Sequence, residues 1–275
     1  MEIKPLLAQN KWRFVFTLLM VLAEAALMVL FPLVIGMAVD DAIAGHYRGA
    51  TYLGALGLAT LIVGASRRML DSRFYARLYQ AIGAMVGTSN TASTSTRTAR
   101  LGLLTEVIDF FEDSLPGIVN SSIGLVGTLI IIAGLNLKIF VGCAILIVIV
   151  VIVYGLSQKA TTRDNAGYNN ELEQQVTIIG SNKPEALKSH LARLMRWNIK
   201  LSDREATNFS VVWVFMMAFL IGSIVLAVGD GVTQYGALFS LVLYLFQFIE
   251  NASSMPLFYQ QWLRLVEIMQ RLKGI

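Results

Sequence analysis

Six runs of mostly apolar residues constrain this chain more than any other feature. They cover residues 14–39, 52–65, 114–135, 139–156, 209–229 and 235–249. A helix rises about 1.5 Å per residue, so roughly 20 apolar residues cross the hydrocarbon core of a bilayer. The second run is short, but residues 67–88 continue it in a helix-compatible pattern. We read one long helix there, inside the membrane to about residue 70, which then emerges from it. The sixth run extends in the same way to about residue 255. The first is too long, and has no early small-residue cleavage site, to be a signal peptide. With 56% hydrophobic and 15% charged residues and a mean hydropathy of +0.64, the chain has more apolar surface than one soluble core hides. The expected class is an all-α integral membrane protein, one domain over residues 1–275.

Charge placement sets the topology. Of the 22 Lys and Arg residues, 20 fall in the N-terminal stub, the two long loops (66–113 and 158–208) and the C-terminal tail. The three short loops carry only Arg48 and Lys138. By the positive-inside rule both termini are cytoplasmic, in what reads as a bacterial inner (plasma) membrane. The same distribution argues against nucleic acid, despite the net charge of +4. A single Cys143 and two distant His residues, His46 and His190, offer neither a disulfide framework nor a metal cluster.

The long loops read as helical hairpins rather than linkers. Residues 66–113 have heptad-like apolar positions interrupted by a Ser/Thr-rich stretch at 88–96, whose side chains compete with helix backbone bonding. Residues 158–208 are expected to break around 165–173, and again at Ser181-Asn182-Lys183-Pro184. Each hairpin would project into the cytoplasm.

Local motifs carry a family resemblance. They are Pro32-Leu33-Val34-Ile35-Gly36 followed by Val39-Asp40-Asp41-Ala42-Ile43; Ala99-Arg100 leading to Asp109-Phe110-Phe111-Glu112; Asn170 to Glu173 ahead of Val176, Ile179 and Gly180; and Leu263 to Ile268. With six spans and long cytoplasmic extensions, the chain resembles the transmembrane domain of ABC exporters over nearly its whole length. The resemblance implies that fold, a homodimer or a heterodimer with a related six-helix chain, and ATP-driven transport. No Gly-Lys dipeptide exists for a G-x-x-x-x-G-K-[ST] phosphate loop, and Leu201-Ser202-Asp203 shares only two letters with the ATPase signature. Sixteen residues follow Tyr259. The chain is therefore expected to be no enzyme and to hold no cofactor or metal, with ATP bound only by a separately encoded subunit.

Candidate functional residues follow from the cost of burying polar groups in lipid. Glu24 lies ten residues into the first run, near mid-bilayer, where a carboxylate costs about 2.5–3.5 kcal/mol on insertion scales. With no cation close in sequence, it is a candidate substrate-cation or proton site, or a protonated interhelical hydrogen-bonding group. Tyr244, Gln247, Glu250, Asn251 and Ser254 recur at helical spacing. A polar stripe on a membrane helix must face water or protein, and the resemblance implies a translocation cavity. Thr91, Ser93, Thr94 and Ser95 in one hairpin, and Asn169, Asn170 and Glu173 in the other, are the candidate docking residues for an ATPase subunit. Gly83-x-x-x-Gly87 reads as close helix packing. Trp12, Trp197, Trp213 and Trp262 read as interface anchors.

Two mechanisms and one non-transport role remain open. In one, a separate ATPase subunit drives export-type transport of an unknown substrate. In the second, the same fold works without ATPase and couples to protons through Glu24 or Glu250. In the third, the chain is a regulatory or scaffold membrane subunit.

Overall fold

The computed structural model describes residues 11–88, 94–232 and 234–273. Among them every element is helical: α1 (Lys11–Ile43), α2 (Arg48–Gly87), α3 (Thr94–Asp109), a π-helical turn (Phe110–Ser114), α4 (Leu115–Leu135), α5 (Leu137–Gly180), α6 (Pro184–Gly229) and α7 (Tyr235–Lys273). Six helical segments are long and apolar enough to cross a membrane, with α3, the π turn and α4 forming the third. α2, α5 and α6 have 40, 44 and 46 residues. At about 1.5 Å per residue they far exceed the roughly 30 Å hydrocarbon thickness, so each continues beyond it.

The helices pack as two compact units, residues 1–139 with 226–275 and residues 140–225. In the first, α1 lies against α2, α4 and α7, and α4 lies against α7. α2 and α3 pair through their amphipathic faces. Tyr75, Leu78, Ile82 and Val86 on α2 meet Leu104 and Ile108 on α3, with Leu101 packed against them. Spacings of three and four residues place these side chains on single stripes. The Ser/Thr-rich interruption is realised as the end of α2 at Gly87 and the start of α3 at Thr94; residues 89–93 lie outside the described ones.

The π turn has a local cause. Pro116, near the start of α4, has no N–H to give, and its ring crowds the carbonyl four residues back, that of Glu112. Widening the turn relieves this: the Leu115 N–H reaches back to the carbonyl of Phe110, five residues earlier.

Two short turns in the first unit share one design. After α1, the His46 N–H bonds the Asp41 carbonyl and the Gly45 N–H bonds that of Ala42. After α6, Val232 and Gly231 repeat this on Ala227 and Val228. Gly45 and Gly231 have φ of +77° and +86°, the left-handed conformation that this C-terminal cap requires.

The second unit contains most of α5 and α6, joined at Ser181-Asn182-Lys183. Asn182 takes a left-handed φ of 55°, and Pro184 opens α6, where a missing N–H costs nothing. The break expected around 165–173 is absent, because α5 runs unbroken to Gly180. Two carboxylates at or beside that stretch bond across to α6. Asp164 accepts two hydrogen bonds from Arg204, at 2.6 and 3.2 Å, and Glu171 pairs with His190 and Arg193.

Candidate functional site

Glu24 sets the first feature, and its setting corrects the sequence expectation of an unpartnered carboxylate. Arg67 Nε donates to Glu24 Oε2 at 2.6 Å, and Arg67 Nη1 donates to Asp71 Oδ2 at 3.0 Å. The Glu24, Arg67 and Asp71 side chains are 13%, 7% and 2% exposed. Gly64 makes the room, since a Cβ there would stand 3.0 Å from Glu24 Oε1. Desolvating an ion is costly, and the pairing repays that cost only with good geometry. Here two carboxylates share one guanidinium, and Asp71 Oδ1 is buried without a hydrogen-bond partner. The cluster suits holding α1 and α2 in register. Glu24 is not the lone charge that the coupling reading assumed.

The polar stripe on α7 divides between burial and exposure. Pro32, inside α1, cannot donate to the Met28 carbonyl and leaves it without its helix bond. α7 supplies side chains along this weak point. The Tyr244 hydroxyl donates to the Val29 carbonyl at 3.0 Å, Ser240 donates to that of Pro32 at 2.8 Å, and Gln247 makes a long 3.5 Å contact with that of Met28. Next to them Gly36 and Gly236 bring the two backbones so close that a Cβ on either would strike the other helix. Tyr244 is fully buried with its hydroxyl engaged, so it presents no surface to a water-filled cavity.

Asn251 is likewise turned into protein. It packs on Gly124 of α4, where a Cβ would meet its Nδ2 at 2.5 Å, and that Nδ2 is buried without a partner. Thr128 of α4 donates a long 3.4 Å bond to Gln247, continuing this polar α4–α7 seam. Ser254 donates to its own helix at the Glu250 carbonyl. Glu250 is exposed, and its carboxylate has no ion pair among the described residues. Of the five stripe residues, Glu250, with the half-buried Gln247 beside it, remains able to face a water-filled path.

Side chains that a composition reading passes over organise the short-loop end of the first unit. Asp40 accepts the Gly236 N–H at 2.7 Å and Asp41 that of Gly49 at 2.7 Å, so neighbouring carboxylates cap the N-termini of α7 and α2. The paired acids where an apolar run ends were the available signal. Asn136 caps α5 through the Lys138 and Ile139 N–H groups. Asp230 bonds Lys138 at 2.5 Å and Asn136 at 2.9 Å, and these contacts hold its carboxyl below the usual carboxylate range.

The candidate docking residues are spread out. Thr91 and Ser93 lie outside the described residues; Thr94 and Ser95 open α3. Asn169, Asn170 and Glu173 are exposed along α5, more than a turn short of the Ser181–Lys183 tip. Behind them hydrogen bonds from His190 and Arg193 hold the Glu171 carboxyl below its ordinary range, and Arg204 does the same for Asp164. Among the described residues no group of three His, Cys, Asp or Glu side chains is placed to hold a metal.

No curated protein matches the sequence. A family model described as ABC transporter transmembrane region matches residues 3–236, most of the chain and five of its six spans. With six membrane-compatible helices and this continuous match, the chain belongs to the ABC transporter transmembrane-region family.

Proposed function

We propose that this chain is the membrane-spanning subunit of an ATP-driven exporter-type transporter, working as a dimer with a second six-helix chain. The observation that carries the reading is the family match over residues 3–236. In this reading ATP is bound and hydrolysed by a partner subunit; residues 1–275 themselves hold no phosphate loop. That subunit docks where helices end beyond the membrane: at the turn between α2 and α3, and at Ser181–Lys183 between α5 and α6. By the distribution of Lys and Arg, both tips and both termini are cytoplasmic. Glu250 and Gln247 face the substrate path, since an exposed carboxylate on a membrane helix is stable only against water or protein. Compensation of Glu24 by Arg67 disfavours the proton-coupled alternative at that residue. Affinity purification from native membranes tests the proposal. The chain is expected to bring down a protein with a phosphate loop, and ATP hydrolysis by the complex to vanish when that loop's lysine is replaced. A chain that purifies alone, and whose reconstituted vesicles dissipate an imposed pH gradient in a Glu250-dependent manner, would contradict it.

A further inference from the structure

A half-open cavity of about 400 Å³ lies between the start of α1 and the middle of α2. Arg13, Arg73 and Arg77 line it together with Phe16, Leu70 and Phe74, and no carboxylate contributes to its wall. Among the described residues none of the three arginines has an acidic partner. Arg73 makes one bond, to the Met69 carbonyl of its own helix, and its remaining donors stay available. Three unpaired guanidinium groups in one half-enclosed cleft are a charge arrangement that calls for an anion, and Arg is the side chain suited to phosphate oxygens.

The depth of the cavity identifies the kind of anion. The Glu24–Arg67 pair fixes the antiparallel register of α1 and α2. Residues 12–17 then lie opposite residues 70–77, at the edge of the apolar run that begins at Phe14. Trp12 also lines the cavity, in the headgroup-level position where aromatic residues concentrate. Charge stands at the rim, and the apolar walls continue into exposed Leu19 and Leu70 along the helices. A soluble anion has no use for that apolar continuation, whereas acyl chains fit it. Basic clefts between membrane helices at the interface are the general form of a lipid headgroup site.

We propose that this cleft binds the headgroup of one anionic phospholipid, from the leaflet on the side of the N-terminus. Phosphate oxygens meet Arg13, Arg73 and Arg77, and the acyl chains lie along Phe16 and Leu70.

Native mass spectrometry of the detergent-solubilised protein tests this. Phosphatidylglycerol and phosphatidylcholine with identical acyl chains are the probes. One phosphatidylglycerol is expected to stay bound with about tenfold preference over phosphatidylcholine. The triple substitution Arg13→Gln, Arg73→Gln and Arg77→Gln should bring that preference to within about twofold, while the corresponding triple Lys substitution keeps most of it. Arg68→Gln removes an exposed charge from the same helix outside the cavity, and should leave the preference intact. If the triple Gln protein does not fold, Arg77→Gln alone is expected to lower the preference measurably. Equal retention of the two lipids, or an unchanged preference in the Gln variants, would overturn the proposal. Displacement of the lipid by excess inorganic phosphate would also overturn it, by showing a site for a soluble anion.

Discussion

The two compact units hold their helices together with different chemistry. In the first unit, within the apolar zone, α7 is fixed to α1 by neutral donors on backbone carbonyls and by two facing glycines. In the second, beyond the apolar run 139–156, α5 and α6 are joined by charged pairs: Asp164–Arg204, Glu171–His190 and Glu171–Arg193. Lipid provides no hydrogen bonds to a displaced carbonyl and penalises a charge, so the apolar zone favours neutral groups and close packing. Where water is near, charged pairs cost less to form. The Glu24–Arg67–Asp71 cluster departs from this division, an ion network among the apolar runs of α1 and α2, away from the charged contacts at the short-loop end.

That departure gives the largest expected effect. Arg67→Met leaves two buried carboxylates uncompensated and should destabilise the fold by about 3–5 kcal/mol, read as a fall in Tm in detergent. Next, Gly236→Val forces a branched side chain onto the Gly36 carbonyl and Asp40. Overpacking of this kind costs about 1–3 kcal/mol. It should also loosen α7 from α1, so a cross-link between cysteines at Ser240 and Leu33 should form more slowly.

Smaller effects test the other side of the comparison. The carboxyls of Asp164 and Glu171 titrate below their ordinary range in the folded protein. Their contribution to stability is therefore fully present above the ordinary carboxylate pKa, and is lost as pH falls through the lowered one. Hydrogen exchange of the α5–α6 hairpin should stay slow at neutral pH and accelerate under acid conditions. Glu171→Gln should flatten that pH dependence and leave the α1–α7 seam unaffected. The smallest change is Tyr244→Phe, which removes one neutral interhelical hydrogen bond. Such bonds average about 0.6 kcal/mol in membranes, so Tm should barely move, in contrast with Arg67→Met.

The architecture was largely legible in the sequence, because lipid demands apolar runs of fixed length and hydropathy reports them directly. Packing direction was less legible. The stripe from Tyr244 to Ser254 reads as one helical face, but water and protein satisfy polar side chains equally well. Periodicity therefore carries no sign that Tyr244 and Asn251 point into the bundle. The partner of Glu24 was missed because Arg67 lies just past the second apolar run, 43 residues away in sequence, and reads as a flanking charge at the end of that span. Hairpin arithmetic contained the signal. Glu24 stands nineteen residues before the end of α1 at Ile43, and Arg67 nineteen after the start of α2 at Arg48. Two helices of equal rise joined by a tight turn bring those positions level. The break expected at 165–173 came from the polar character of the stretch, which does not show that Glu171 within it and Asp164 just before it bond to the next helix.

The central claim is that the apolar zone tolerates Glu24 and Asp71 because both are paired with the Arg67 guanidinium. The most direct measurement compares the Tm of Arg67→Met with that of the triple neutral variant Glu24→Gln, Arg67→Met, Asp71→Asn. Removing all three charges also removes the burial cost that the pairing offsets. The single variant should fall steeply, and the triple variant should recover most of the loss. A triple variant as unstable as the single one, or a single variant with unchanged Tm, would contradict the account.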